Sequence, residues 1–172
     1  MQVSRRRVIV GAATVAVLAA LGIRMSRLPE PSTSHRLLSD DEFVLVTAIA
    51  DGLFPPGNPL GVAGRDVAVA DEVDRLLATE LDPEMRLVFR YLIRGLDIGT
   101  TASRGKSFVS LDTEARADVL RVWSDTAVLP RRMAFEGIKL VVGMAFMTDP
   151  KVSAATGWES ACWTAPSTVV PA

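Results

Sequence analysis

Leu38-Ser39-Asp40-Asp41-Glu42-Phe43-Val44-Leu45-Val46-Thr47-Ala48-Ile49-Ala50-Asp51-Gly52-Leu53-Phe54-Pro55-Pro56 is a helix with both ends written into it. Ser39 followed three residues on by Glu42 is a capping box, in which the hydroxyl accepts from the amide of residue 42 while the Glu carboxylate reaches back. Pro55 and Pro56 cannot continue the helix, so it is expected to run from about Asp40 to Phe54. Phe43, Val46, Ala50, Leu53 and Phe54 form one apolar stripe, and Val44, Leu45, Ala48 and Ile49 cover much of the remaining surface. A helix apolar nearly all round is buried on more than one side.

Downstream the same period recurs. Residues 55–65, with three prolines and three glycines, read as a turn-rich loop. A second helix, about Val67 to Leu81, has Val69, Val73, Leu76, Leu77 and Leu81 inward and Asp71, Glu72, Asp74 and Arg75 outward. Asp82-Pro83 is an N-cap with proline at the first helical position. It opens a third helix, in which Met85, Val88, Phe89, Leu92 and Leu96 share a face, and Gly99 to Lys106 breaks it. Asp112 caps a fourth helix with Leu120, Trp123 and Ala127 on one stripe. Pro130 opens a fifth, whose Ile138–Met147 stretch carries one charge, Lys139. That helix is too short to span a bilayer, so it is a central core helix or one that binds a partner. Gly137 and Gly143 would let a neighbouring backbone approach it. No sustained period-two alternation exists. The fold class is all-α, a bundle of about five helices.

The charge balance divides the chain. Residues 1–36 hold six arginines and one acid, whereas residues 37–172 hold thirteen Lys/Arg and nineteen Asp/Glu. Such asymmetry marks two regions with separate jobs. The reading is a signal or anchor plus tether over 1–36, a helical domain over 37–160 and a tail over 161–172. A net charge of -1 argues against nucleic acid.

At the start, Ser4-Arg5-Arg6-Arg7 precedes the uncharged run Val8 to Ile23. A basic region followed by an apolar stretch of that length has the form of an export signal. The run is mild, rich in Ala and Gly. Ser4, Arg5, Arg6, Val8 and Ile9 resemble the twin-arginine pattern, and Arg24 directly after the run disfavours the general secretory route. Val8 stands where Phe is commonest, and no Lys follows Ile9. No small-x-small cleavage site stands out between Ile23 and Ser39, so the segment could equally stay as an anchor. Pro29, Pro31, Ser32, Thr33 and Ser34 make residues 24–36 read as a flexible tether. No lipobox cysteine is present.

Enzymatic chemistry is not spelled out. The sole histidine, His35, lies in the tether, which removes Ser-His-Asp and Cys-His arrangements and any His-based metal site. There is no GxGxxG after a strand and no GxxxxGK[ST]. Cys162 is alone, so no intrachain disulfide or CxxC can form. The acidic runs Asp40-Asp41-Glu42 and Asp71-Glu72-Asp74 sit where caps and solvated faces want charge. Trp123, Trp158 and Trp163 read as packing or interface anchors rather than cofactor stackers. No catalytic, cofactor-binding or metal residue is assigned.

Three pieces carry a resemblance. Leu38–Phe43 with Ala48-Ile49-Ala50-Asp51-Gly52-Leu53-Phe54-Pro55 is similar to the opening helix of the gluconate 2-dehydrogenase subunit 3 family. Gly64-Arg65-Asp66-Val67 and Val73-Asp74-Arg75-Leu76-Leu77 resemble its second helix. Met144-Ala145-Phe146-Met147-Thr148-Asp149-Pro150-Lys151-Val152, then Gly157-Trp158, resembles its closing stretch, with Trp where Tyr usually follows the glycine. The resemblance implies a small, non-catalytic subunit whose partner is a large flavoprotein of the glucose-methanol-choline type. FAD would sit in that partner, and a cytochrome c subunit often accompanies it. The small subunit would escort the folded partner through the twin-arginine translocase to the periplasm or the outer face of the cytoplasmic membrane. Ile138, Val141, Val142, Phe146, Trp158 and Trp163 are the residues expected at the partner interface. Two other readings are a membrane-tethered exported helical binding protein unrelated to any dehydrogenase, and a free-standing exported enzyme.

Overall fold

The capping box forms as written: Ser39 N–H donates to Glu42 Oε2 at 3.1 Å and Glu42 N–H donates to Ser39 Oγ at 3.3 Å. The computed structural model describes residues 28–157. In it α1 spans Asp40–Leu53, and the Phe54 N–H closes it onto the Ala50 carbonyl. Then follow α2 (Val69–Thr79), α3 (Pro83–Arg104), α4 (Thr113–Ser124), α5 (Leu129–Met147) and α6 (Pro150–Thr156). One-turn 3-10 segments at Gly64–Asp66 and Phe108–Ser110 precede α2 and α4. Among the described residues the secondary structure is helical throughout, with no strand. The sixth helix, short and capped by the Asp149 carboxylate on the Lys151 N–H, lies beyond the five expected.

The central place of α1 follows from its apolar circumference. It packs against α2, α3, α4 and α5, and α5 in turn meets α2, α3, α4 and α6. Val46, Ile49, Val73, Leu77, Ile93, Leu96, Ile138, Val142 and Phe146 are all fully buried between them. Phe54 at the end of α1 stacks on Phe146 with centroids 3.8 Å apart.

Several sequence expectations are corrected. Asp74, expected outward, is buried, because its carboxylate accepts the amides of residues 36–38. Glu42 caps α1 but is buried too, against Arg90. The buried face of α3 is Phe89, Ile93, Leu96 and Thr100, while Met85 and Val88 are exposed, since only the middle of this long helix meets the core. Gly99 does not break α3, which continues to a left-handed Gly105. Gly99 instead makes room for Trp123: a Cβ there would lie 2.7 Å from the indole ring. Ala127 is exposed and lies past the end of α4. Neither Gly137 nor Gly143 admits a backbone; Gly137 faces the Leu92 side chain and Gly143 faces open space. The part of the tether from Pro29 to Arg36 is bonded to the helices rather than free of them.

Candidate partner interface

α5 carries Pro130 in its first turn, where the missing N–H costs the helix no hydrogen bond, and it continues despite Gly137 and Gly143 in its interior. Its inward face is Ala134, Phe135, Ile138, Val141, Val142, Ala145 and Phe146. Four of these, Ile138, Val141, Val142 and Phe146, were expected at a partner interface. They fill the chain's own core instead, 0–9% exposed, and are not available to a partner. Trp158, Trp163 and Cys162 lie outside the described residues, as do Ser4, Arg5, Arg6, Val8 and Ile9.

The apolar surface that does face solvent lies on the other side of the same helix. Met133, Leu140, Met144 and Met147 are 64, 62, 46 and 39% exposed. Their spacing of seven, four and three residues sets them along one stripe at about 100° per residue. Leu76 of α2 and the bare Gly143 help form an open groove of about 740 Å³ beside Leu140, Met144 and Met147. Its charged rim is Glu136 and Lys139, paired to each other at 3.7 Å. Arg131 lies over Trp123, which covers Gly99, and Gly137 meets Leu92, so α3 and α5 run antiparallel. That arrangement brings the first half of α3, with exposed Met85, Leu87 and Val88, to the same end of the bundle as Leu140 and Met144.

An exposed apolar stripe has the character of surfaces that bind other molecules, and methionine is the side chain best able to fit an irregular neighbour. The spacing is legible in the sequence. What the sequence left open was which face of an almost wholly apolar helix the core would take.

A polar cluster around Asp51 does a different job. The Asp51 carboxylate accepts from Arg65 Nε at 2.7 Å, Thr113 Oγ1 at 2.6 Å and Arg116 Nη1 at 3.0 Å. Burial alone would raise its pKa, but the Thr113 hydroxyl and the Arg65 guanidinium, with the charge of Arg116, hold it below the ordinary 3.8. A carboxylate so occupied is a poor general base. It ties α1, the Gly64–Asp66 turn and α4 together. Arg116 Nε, beside it, is buried without a hydrogen-bond partner.

No group of three or more His, Cys, Asp or Glu side chains placed to hold a metal occurs among the described residues. Nor is any described helix long and apolar enough to cross a membrane.

Comparison with known families matches residues 40–162 to gluconate 2-dehydrogenase subunit 3. Neither a curated protein nor a solved structure matches. The matched stretch contains all six helices of the described residues, including the stripe of α5 and the cluster around Asp51. This chain belongs to the gluconate 2-dehydrogenase subunit 3 family.

Proposed function

We propose that this chain is the non-catalytic small subunit of an FAD-dependent dehydrogenase of the glucose-methanol-choline type, and that it grips the large flavoprotein through the outer face of α5. Family membership makes it an accessory subunit of a dehydrogenase complex. The observation that carries the rest is the Met133–Met147 stripe, an apolar surface that the chain's own described residues leave uncovered. FAD belongs in the partner, and a cytochrome c subunit can complete the electron path from it. The reaction is the partner's; this chain's contribution is a docking surface and an address.

The address is the N-terminal segment. Arg5 and Arg6 ahead of the Val8–Ile23 run are read by the twin-arginine translocase, which passes folded cargo. A large subunit held on α5 therefore crosses with this chain. It then resides in the periplasm, or at the outer face of the cytoplasmic membrane where the segment remains as an anchor.

Changing Arg5 and Arg6 together to Lys tests this. Lysine keeps the charge but loses the planar five-donor fork. Cell fractionation is expected to find both subunits in the cytoplasm and the complex between them intact. A large subunit that still reaches the periplasm sinks the escort role. If both still cross, the twin-arginine reading falls. A chain that captures no flavoprotein from its own cells leaves the membrane-tethered binding protein as the better account.

A further inference from the structure

The strongest unexplained feature is a buried carboxylate that no cation partners among the described residues. Asp74, on α2, is 4% exposed, and its oxygens accept three successive backbone amides: Arg36 at 2.6 Å, Leu37 at 3.0 Å and Leu38 at 2.8 Å. Seven residues upstream of Arg36, the Pro29 carbonyl accepts from Arg90 Nη2 of α3 at 2.5 Å, while Arg90 Nε holds buried Glu42. Between these grips Ser32 N–H donates to the Leu38 carbonyl, and His35 lies flat on Phe43 at 4.1 Å.

We propose that α1, α2 and α3 form a peptide-backbone binding site whose ligand is the chain's own residues 29–38. The chemistry favours this ligand. A buried carboxylate is costly unless several donors satisfy it, and here every donor comes from one short strip of main chain. The side chains at 36 and 37 contribute nothing to those bonds, so the site reads backbone direction rather than sequence. It exists only when Asp74 and Arg90 are brought together, which requires α1, α2 and α3 to have assembled.

The consequence bears on the export reading above and rests on it. With the site filled, five residues separate Ile23, the end of the apolar run, from Pro29. With it empty, fifteen residues separate Ile23 from Ser39. At roughly 3.5 Å per residue the greatest reach between the two points is about 20 Å in the first case and about 55 Å in the second. Filling the site thus shortens the greatest reach between the apolar run and the helical domain.

Amide hydrogen exchange on the full chain decides whether the site exists, independently of any export. Protection of Arg36, Leu37 and Leu38 by about a hundredfold or more over open chain is expected, as for amides of the helices. Trypsin should cleave after Arg27 and spare the Arg36–Leu37 bond. Exchange at open-chain rates, or equal cleavage at both bonds, overturns the proposal. In Asp74→Asn the three amides should lose at least about tenfold of their protection while α4 amides keep theirs. Unchanged protection at 36–38 also overturns it. If that variant does not fold, the wild-type exchange and cleavage patterns still decide.

Discussion

Arg90 Nη2 stands 3.0 Å from Glu42 Oε2, and both residues are buried, at 8% and 2% exposure. One guanidinium therefore joins α3 to the first turn of α1, and Glu42 serves the cap of its own helix at the same time. Glu42→Ala leaves the buried Arg90 charge without a counter-ion, its remaining partner being the neutral Pro29 carbonyl, and should cost about 3–5 kcal/mol in urea unfolding. Replacing both at once, as Glu42→Leu with Arg90→Met, should cost much less, because no orphan charge remains. A single-mutant loss below about 1 kcal/mol, the value of an exposed pair, would show that water reaches it.

Asp51 gives a pH dependence with a definite sign. Its pKa is held below the ordinary 3.8 against the pull of burial by Thr113, Arg65 and Arg116. Above 3.8 the carboxylate is ionised in both folded and unfolded chains, and its stabilising contribution is complete. As pH falls through the lower folded value the native form must also take up the proton, and the contribution disappears. Stability measured by denaturant titration from neutral pH downward should thus fall more steeply in the wild type than in Asp51→Asn, and the difference should appear below pH 3.8. Parallel acid limbs for the two proteins would contradict it.

Gly64 marks where two backbones touch. A Cβ there would lie 2.2 Å from the Ala50 carbonyl oxygen, and its own N–H donates to the Phe54 carbonyl at 2.8 Å. Gly64→Ala must push main chain from main chain and should lose about 2–3 kcal/mol. At this size that is a drop of roughly 4–12 °C in Tm. Gly143→Ala is the control: nothing lies within 4 Å, and the helix should gain up to about 1 kcal/mol. Equal Tm values for the two variants would refute the close approach.

How much of this could be read beforehand differs from feature to feature. Ser39, Glu42 and the two prolines after Phe54 are local signals, and α1 formed within one residue of its expected end. Asp112 and Pro130 placed the starts of α4 and α5 in the same way. The buried charges escaped because burial of Asp74 and Arg90 is decided by residues 36 and 48 positions away, which no helical period contains. Gly99 was misread for a similar reason: glycine weakens a helix locally, but Trp123 in another helix needs the space. α5 turns Ile138, Val141, Val142 and Phe146 to the core and leaves its other apolar face to solvent. Its period was visible, yet with apolar residues on both faces only the packing of α1, α2, α3 and α4 could choose between Val142 and Leu140.

That choice supplies the sharpest pair of variants. Val142 is fully buried and Leu140 is 62% exposed, two residues away on the same helix. Val142→Asp places a carboxylate where water cannot follow and should cost several kcal/mol, enough to unfold much of the protein. Leu140→Asp meets solvent and should change stability by no more than about 0.5 kcal/mol. In co-purification with the large subunit the order should differ in kind. If α5 docks the large subunit as proposed, Leu140→Asp is expected to retain its helical circular dichroism and still lose that partner, since a charge at the centre of the stripe must be desolvated on binding. Adding Met144→Asp should deepen the loss without touching the fold. Full recovery of the complex with a folded Leu140→Asp, Met144→Asp double variant would move the docking surface off α5 altogether, leaving the apolar start of α3 as the next surface to vary.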